Sequence, residues 1–378
     1  EYEYQRYWMF DLLFGRGGYA PDASGDIWQR ELRNRLGEAA EPIGRAYRSG
    51  SRILPLLTTV LQWSASLWRF WPEIYPGRSL EQDIDIEPSD PTQFYGISEY
   101  VEDALQNDLN GKWTPPQVAY RLQTLAQNTR TALADAQISI SAAQNLGSTT
   151  LDFALLADLA NYHACRLRAC THFAFYTKTH DDSRLHEAHR LLCQAKTHWA
   201  ALADLANDVY HDDLVFGRRE ADHCGHWENR LDVIEQDLAS ITRLQESAPK
   251  ETTAFSVGQY PGESAWPEQP SVTIEPLPPA IPGRELPLHI HFKSRTPVRT
   301  LTCHYRIANQ TLPFNRVQAQ PNGKNQYLAA VPGEAITSHW DLMIFFEIRY
   351  ENGEAVRWPC WQTQTPYLVI PIHPDETP

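Results

Sequence analysis

The sequence has little cysteine, with six residues in 378, far below the density of a protein held together by a disulfide framework. It has no apolar run near 18 residues and its mean hydropathy is -0.48, which excludes a membrane-spanning helix. Acidic residues outnumber basic ones 47 to 33, so the net charge is -14. A net-acidic surface repels phosphate backbones, and nucleic acid is therefore a poor candidate partner.

The motifs of several enzyme classes are also missing. There is no Gly-rich phosphate loop, no Gly-x-Ser-x-Gly nucleophile elbow and no dinucleotide-binding fingerprint. We therefore predict no cofactor. The overall composition is ordinary for a globular protein, with 42% hydrophobic and 21% charged residues, but aromatic side chains are prominent, including 12 Trp and 17 Tyr.

The distribution of proline divides the chain. Nine of the 27 prolines lie between Pro21 and Pro116, none lies between residues 117 and 248, and 18 follow from Pro249 onward. Because proline interrupts helices, the proline-free stretch predicts four long helices, which we interpret as an antiparallel bundle over residues 114–246. The clearest apolar stripe is that of the fourth helix, formed by Trp227, Leu231, Ile234, Leu238 and Ile241.

The regions on either side of this bundle have different patterns. Residues 1–113 indicate an irregular helical region with a long aromatic loop, and residues 247–270 lack periodicity and indicate a linker. Residues 271–373 alternate between apolar and polar positions and contain the hairpin signals Asn322-Gly323 and Asn352-Gly353. We predict a multidomain α-then-β protein, mainly helical at first and ending in a β-sandwich of immunoglobulin or fibronectin type.

The aromatic loop, about residues 63–98, combines two kinds of side chain. Its aromatic residues are Trp63, Trp68, Phe70, Trp71, Tyr75, Phe94 and Tyr95, and its acidic residues are Glu73, Glu81, Asp83, Asp85, Glu87 and Asp90. Aromatic faces stack on the C–H faces of sugars and carboxylates accept hydrogen bonds from hydroxyls, so the pattern suits carbohydrate. The alternative is that the aromatic residues bury the loop against the bundle while the acids are solvated. For the Trp pair we predict a split, with Trp71 packed inward and Trp68 partly accessible.

A pair of catalytic carboxylates is not predicted within this chain, because glycoside hydrolysis needs two carboxyl groups at a fixed separation. A metal site is not predicted either. Nine of the 14 histidines fall between His163 and His226, and His186, His189 and Cys193 share one helix face, as zinc ligands can. Without a His-Glu-x-x-His or paired Cys-x-x-Cys motif, surface histidines and a buried cysteine are the preferred interpretation.

Two groups in the predicted sandwich have alternative interpretations. Cys303 and Cys360 either bridge the two sheets or are two buried free thiols. An exposed row of aromatic side chains would indicate carbohydrate recognition, but the alternation places part of this set inward, so we predict a core role. The set is Trp340, Trp358, Trp361 and Tyr367.

The chain opens directly in an aromatic helix without an initiator Met, and we expect further sequence upstream. The segment from Tyr7 to Asp22, with Phe14-Gly15-Arg16 near its centre, resembles the region just after the catalytic barrel of α-glucuronidase-like glycoside hydrolases. Hexosaminidase-like bacterial glycosidases carry a comparable helix. The later Trp68-Arg69-Phe70-Trp71-Pro72-Glu73 also fits the helical region that follows such barrels, and the resemblance covers about 90 residues.

This resemblance implies that the catalytic acid and base lie on an upstream barrel, which the chain lacks because it shows no eightfold βα alternation. It assigns no catalytic residue here. It implies that the helical region packs on the barrel of the same polypeptide and lends residues to the rim of a carbohydrate cleft. Those residues are Arg16, Tyr19, Trp68, Trp71, Glu73 and Arg78. Homodimer formation is an additional role, and the rival hypothesis is a non-catalytic scaffold of bundle and sandwich that binds protein or carbohydrate.

Overall fold

The structure is a computed structural model with two compact units. The first unit comprises Glu1–Asp90 and Val118–Val257, and the second comprises Pro91–Gln117 and Gly258–Pro378. Within the described residues, no helix is long and apolar enough to cross a bilayer. The described residues are 6–61, 72–75, 78–139, 147–207, 209–215, 219–221, 224–247, 260–263, 269–276, 279–337, 340–361 and 365–372.

The first unit begins with short helices. They are α1 (Trp8–Tyr19), α2 (Asp26–Leu36), α3 (Ala40–Gly50), α4 (Ile53–Val60) and α5 (Leu80–Ile84). Gly37 ends α2 with a φ of 55°, a backbone conformation that favours glycine. The Ser79 hydroxyl caps α5 by accepting a hydrogen bond from the Gln82 amide at 3.4 Å. Gly50 allows close packing, since a Cβ there would lie 2.4 Å from the Phe153 ring.

Four long helices occupy the proline-poor stretch, where the sequence predicts them. They are α7 (Pro115–Ser139), α8 (Gly147–Thr179), α9 (Asp182–Ala206) and α10 (Leu231–Ser247). The shorter helix that precedes them, in the second unit, is α6 (Ile97–Leu105). The Asp181 side chain caps α9 by accepting from the Ser183 amide at 2.9 Å. Only His180 and Asp181 separate α8 from α9, so these two helices pack as antiparallel neighbours. The two-stranded ribbon of β1 (Leu214–Val215) and β2 (Cys224–Gly225) lies before α10.

The second unit contains the later strands. They are β3 (Ser271–Ile274), β4 (Leu286–Lys293), β5 (Val298–Ile307), β6 (Asn315–Gln318), β7 (Gln320–Pro321), β8 (Gln326–Val331), β9 (Leu342–Tyr350), β10 (Ala355–Trp358) and β11 (Leu368–Ile370). One sheet has the order β3-β4-β8-β7, and the other has the order β10-β9-β5-β6 with β11 also paired to β9. The described strand pairs are antiparallel. The predicted order of helices followed by an antiparallel β region is confirmed.

The alternation of apolar side chains builds the core of this unit. On β4, Leu288 and Ile290 are buried while His289 and His291 are exposed, as period-2 alternation requires. Side chains from both sheets contribute to one apolar cluster. The immunoglobulin or fibronectin type of the sandwich stays a prediction.

Details of the strands test the predictions for the hairpins, the cysteine pair and the aromatic set. Asn352-Gly353 joins β9 to β10 and Asn322-Gly323 joins β7 to β8, so both predicted hairpins occur. Cys303 is a buried free thiol, which excludes the bridge to Cys360. Of the aromatic set, Trp358 packs against the core and Trp340 is exposed.

The segment Pro91–Gln117, which contains α6, groups with the strands rather than with the helices that precede it in sequence. Asp108 binds Arg299 at 2.6 Å and Arg349 at 2.7 Å, which attaches the segment to β5 and β9. The Tyr100 hydroxyl donates to the Pro261 carbonyl at 2.9 Å. Most of the predicted linker at 247–270 lies outside the described residues, and the finer domain boundaries drawn from the sequence stay a prediction.

The attachment of this segment predicts different effects for two glycine substitutions. Gly111 and Gly283 both have positive φ, 78° and 74°, so alanine is strained at both. A Cβ on Gly111 would lie 2.7 Å from the Val356 backbone, whereas no atom of the described residues lies within 4 Å of one on Gly283. Gly111→Ala should therefore lower the free energy of unfolding by ~1–3 kcal/mol more than Gly283→Ala, measured by urea denaturation. Equal losses would contradict the close approach of the segment to β10.

Candidate functional site

The predicted site residues fall on two parts of the first unit. Arg16 and Tyr19 lie on α1, whereas Glu73 and Arg78 lie in a segment between α4 and α5. We call residues 72–75 and 78–84 the tethered segment. Trp68 and Trp71 lie outside the described residues, so the predicted split between them stays a prediction.

The beginning of α1 is fixed to the rest of the first unit. The guanidinium of Arg6 donates from Nε to Asp152 Oδ2 at 3.0 Å and lies 4.9 Å from the centre of the Tyr210 ring. Met9 is buried in an apolar cluster with α2, α3, α7 and α8. The Arg35 guanidinium lies 4.3 Å from the centre of the Trp8 ring. The N-terminal part of α1 is therefore well packed.

The rest of α1 exposes large apolar side chains. Phe10 is 65% exposed, Phe14 76% and Tyr19 93%, and the Phe10 and Phe14 rings stack with their centres 6.0 Å apart. We call Phe10, Leu13 and Phe14 the aromatic face of α1, since they lie three and four positions apart, whereas Tyr19 is exposed on the opposite side at the end of the helix. Arg16 is also exposed and supplies a positive charge beside it. Contiguous exposed apolar side chains of this kind mark interaction surfaces.

Glycines on the same helix show that its surroundings are open. Among the described residues, no atom lies within 4 Å of a Cβ placed on Gly15, Gly17 or Gly18. Three glycines in one helix reduce its intrinsic stability, because each costs about 1 kcal/mol relative to alanine. An external surface that covers this part of α1 would therefore stabilise it as well as bury its apolar side chains.

The tethered segment is held by one buried arginine. Arg166, on α8, donates from Nε to Asp83 Oδ2 at 2.8 Å and from Nη1 to Asp237 Oδ2 at 2.8 Å. Its Nη2 donates to the carbonyl oxygen of Arg78. The three charged side chains of Arg166, Asp83 and Asp237 are buried. One guanidinium thus connects α8, α10 and the tethered segment.

Burial raises the pKa values of both carboxyl groups in this cluster. Burial raises the pKa of Asp83 to about 6, although the neighbouring Arg166 opposes the increase. Burial also raises the pKa of Asp237, again against the effect of Arg166. Because both carboxylates share one cation, losing that cation would leave two buried acidic groups uncompensated.

Glu73 is the candidate with unusual chemistry. Its backbone is fixed because Trp227 donates from Nε1 to the Glu73 carbonyl oxygen at 2.5 Å. Burial raises the pKa of its carboxyl group. Within the described part of the chain, its buried Oε2 atom has no hydrogen-bond partner. Burial thus disfavours the charged form of this carboxyl group relative to a solvated one, and its unpaired oxygen can accept a hydrogen bond from a ligand hydroxyl.

Arg78 is the other predicted site residue on the tethered segment, and its backbone takes part in holding that segment in place. Its amide donates to Asp83 Oδ1 at 3.2 Å, and its carbonyl accepts from Arg166. The residue is exposed. The structure therefore places Glu73 and Arg78 on one segment but brings neither of them to Arg16 or Tyr19 by any described contact.

The histidine-rich part of the chain contains no described metal cluster. No group of three or more His, Cys, Asp or Glu side chains is arranged to hold a metal ion among the residues that the structure describes. His189 Nδ1 lies 3.8 Å from Cys193 Sγ, and His186 Nδ1 lies 2.8 Å from the Asp182 carbonyl oxygen. These histidines contact their own helix.

The residues that anchor the tethered segment were not predicted as functional residues from the sequence. Arg166, Asp237 and Trp227 fix the tethered segment, yet only Trp227 belongs to a predicted stripe. A signal was present: Arg166 occupies a stripe position between Tyr162 and Ala169 on α8, where an apolar residue is expected. A charged residue at such a position needs a buried partner of opposite charge.

Comparison with known proteins gives a fold relationship. No family model and no curated protein matches the chain. The solved structure of a GH138 enzyme targeting pectin rhamnogalacturonan II matches with a TM-score of 0.56 and 17% identity. The match covers 64% of this chain and 38% of that chain. The matched part of this chain thus shares a fold with part of a glycoside hydrolase, while an α-glucuronidase-like or hexosaminidase-like type stays a prediction.

Replacing Arg166 should destabilise the first unit. Arg166→Leu leaves the buried Asp83 and Asp237 without their cation, and removing one partner of a buried ion pair costs ~3–5 kcal/mol. Arg190→Leu is the control, since it breaks an exposed pair with Glu187 that is worth less than ~1 kcal/mol. Urea denaturation measures both. Losses of similar size would show that the cluster is not a structural anchor.

A buried histidine predicts acid sensitivity. His163 is buried with Nε2 3.4 Å from the Pro72 carbonyl oxygen, and burial lowers its pKa to about 3. The unfolded chain binds a proton near pH ~6.5. The stabilising contribution is therefore complete above about pH 6.5 and is lost as the pH falls towards about 3. His163→Leu should flatten the decline in unfolding free energy between about pH 6.5 and 4, whereas the exposed His186→Leu should not. An unchanged slope in His163→Leu would refute this assignment.

Proposed function

We propose that this chain is the C-terminal, non-barrel part of a glycoside hydrolase. It packs on an upstream catalytic barrel of the same polypeptide and shapes the cleft of that barrel. The observation that carries this proposal is the aromatic face of α1, where Phe10 and Phe14 are mostly exposed although the start of the helix is packed.

The energetics of this face favour a permanent partner. Burying a large apolar side chain contributes about 1.5–3 kcal/mol, so covering Phe10, Leu13 and Phe14 would be strongly favourable. Aromatic and arginine side chains are also enriched in the buried centres of protein interfaces. Arg16 lies beside the aromatic face and is exposed. A domain in the same polypeptide meets this face at high effective concentration, so no separate encounter is needed.

The fold relationship supports the enzyme class. The neighbour is a glycoside hydrolase, and the chain spans 38% of its length. Carbohydrate is the ligand that this relationship and the aromatic composition together favour. No residue of the chain is assigned a catalytic role in this proposal.

The tethered segment supplies the proposed contribution to the cleft. Glu73 has a partly buried carboxyl group whose Oε2 atom has no partner among the described residues, which suits accepting a hydrogen bond from a sugar hydroxyl. Arg78 is exposed and suits an anionic or hydroxyl group. Trp68 and Trp71 are proposed to stack on sugar faces. Arg166 acts as a positioning residue by fixing the backbone of Arg78.

A second candidate function is a non-catalytic scaffold that binds a separate protein, another copy of the chain or carbohydrate. The same aromatic face of α1 favours this alternative, because it suits a partner from another polypeptide equally well. The two functions differ in where the partner is encoded and in whether glycosidase activity accompanies it.

The test compares this chain with the polypeptide encoded by the complete gene. The chain alone should hydrolyse no aryl-glycoside, whereas the complete polypeptide should. In the complete polypeptide, Phe14→Glu should reduce both turnover and the free energy of unfolding, the latter by at least ~2 kcal/mol, because it places a charge in an apolar interface. In the isolated chain, where Phe14 is exposed, the change should stay within ~0.5 kcal/mol.

Ile138→Glu is the matched control, since Ile138 is 85% exposed on α7. It should have a small effect in both proteins. Robust hydrolysis by the chain alone, or no effect of Phe14→Glu in the complete polypeptide, would contradict the proposal.

A further inference from the structure

Three Asn-Gly dipeptides of the second unit share one type of chemical reactivity. They are Asn110-Gly111, Asn322-Gly323 and Asn352-Gly353. In such a dipeptide the glycine nitrogen attacks the side-chain carbonyl carbon of the asparagine, and the side-chain nitrogen leaves as ammonia. Glycine favours this attack because it has no Cβ and its backbone rearranges readily. The reaction requires both reacting groups to be free of other contacts, so the structure determines which dipeptide reacts.

Asn352-Gly353 is protected by the hairpin that joins β9 to β10. The Gly353 amide, whose nitrogen would attack, donates to the Tyr350 carbonyl oxygen at 3.2 Å. The Asn352 Oδ1 atom accepts from the Glu354 amide at 3.1 Å. Gly353 is also buried, and a Cβ placed on it would overlap the side chain of Asn107. Both reacting groups are therefore engaged in hydrogen bonds, and a neighbouring side chain covers the glycine.

Asn110-Gly111 is held by contacts of the asparagine side chain. Asn110 Oδ1 accepts from the Lys112 amide at 3.3 Å, and its Nδ2 donates to Asp103 Oδ2 at 3.4 Å. Gly111 is buried, and a Cβ on it would lie 2.7 Å from the Val356 backbone. The Asn110 side chain therefore reaches the Gly111 nitrogen only after both of its hydrogen bonds are broken.

Asn322-Gly323 differs from both of these dipeptides. It lies in the turn between β7 and β8, where residues 321–326 are all exposed. The Asn322 backbone amide donates to the Gln326 carbonyl oxygen at 2.8 Å, which closes the turn. Neither the Asn322 side chain nor the Gly323 amide has a hydrogen-bond partner among the residues that the structure describes. The attacking nitrogen and the carbonyl carbon that it attacks are therefore both free.

We propose that Asn322 is a site of spontaneous deamidation in the folded chain. The Gly323 nitrogen bonds to Cγ of Asn322, and the bond from Cγ to Nδ2 breaks. The proton lost from the Gly323 nitrogen leaves with Nδ2 as ammonia, and a succinimide ring remains. One water molecule then opens the ring at either of its two carbonyl carbons, which gives aspartate or isoaspartate. The net reaction consumes water and releases ammonia, without an oxidant or another co-reactant.

The modification changes the edge of a sheet. β7 is an edge strand, and its described pairing with β8 consists of Gln320 with Leu328 and Pro321 with Tyr327. Deamidation places a carboxylate in the turn that follows this short ladder, and isoaspartate also inserts one methylene group into the backbone there. We therefore expect weaker pairing of β7 in the modified chain. The site lies in the second unit and does not depend on the proposed role of α1 or of the tethered segment.

The test incubates the folded chain in a mildly alkaline buffer and follows each Asn-Gly dipeptide by peptide mapping with mass spectrometry. Asn322 should convert at least ~10-fold faster than Asn352 or Asn110, because ring closure at those two positions first requires hydrogen bonds to break. Ion-exchange chromatography provides a second readout, since each conversion adds one negative charge. Asn322→Gln should remove the main acidic form that accumulates, whereas the matched control Asn352→Gln should retain it.

The same chain unfolded in urea measures the intrinsic reactivity of the three dipeptides. There the three rates should differ by less than ~3-fold, because the contacts that protect Asn352 and Asn110 are lost. Conversion of Asn352 or Asn110 as fast as that of Asn322 in the folded chain would overturn the proposal. So would an Asn322 that stays intact in the folded chain over a period in which it converts in the unfolded chain.

Discussion

A buried guanidinium organises the part of the chain that carries the candidate site. Arg166 reaches Asp83, Asp237 and the backbone of Arg78 from a single position on α8. Burying such a charge is costly unless its hydrogen bonds are satisfied, so the tethered segment must follow a path that brings these acceptors to it. Glu73 lies on the same segment and is held by a second contact, because Trp227 donates a hydrogen bond to its carbonyl oxygen.

Charged groups have a comparable role in the second unit. Asp108 accepts from Arg299 and Arg349, and these contacts attach Pro91–Gln117 to the strands. Arg349 also binds Glu347, so the network of charged groups extends along β9. Arg357 lies beside this network with one donor group unpaired among the described residues.

The predictability of the structure depends on the range of the interactions that determine it. The long helices and the two Asn-Gly hairpins follow from local patterns of proline, periodicity and turn residues, and these patterns were sufficient to predict them. The grouping of Pro91–Gln117 with the strands depends on ion pairs such as that between Asp108 and Arg349, 241 residues apart, which no local pattern contains.

The candidate site was predictable only in part for the same reason. The residues of the aromatic loop were recognised by type, but their anchor Arg166 binds partners 83 and 71 residues away. The helix α1 shows a different limit. Its aromatic character was evident from the sequence, but the exposure of Phe14 and Tyr19 was not, since it depends on there being no described part of the chain that covers them. Periodicity identifies an apolar face without identifying the surface that buries it.

Hydrogen exchange at α1 tests the central claim most directly. The measurement compares amide exchange over Trp8–Tyr19 in this chain and in the polypeptide encoded by the complete gene, with the buried helix α9 as internal reference. We predict that α1 exchanges at least ~10-fold more slowly in the complete polypeptide, because a catalytic barrel covers its aromatic face, while α9 is unchanged. Equal exchange of α1 in the two proteins would contradict this role of the helix.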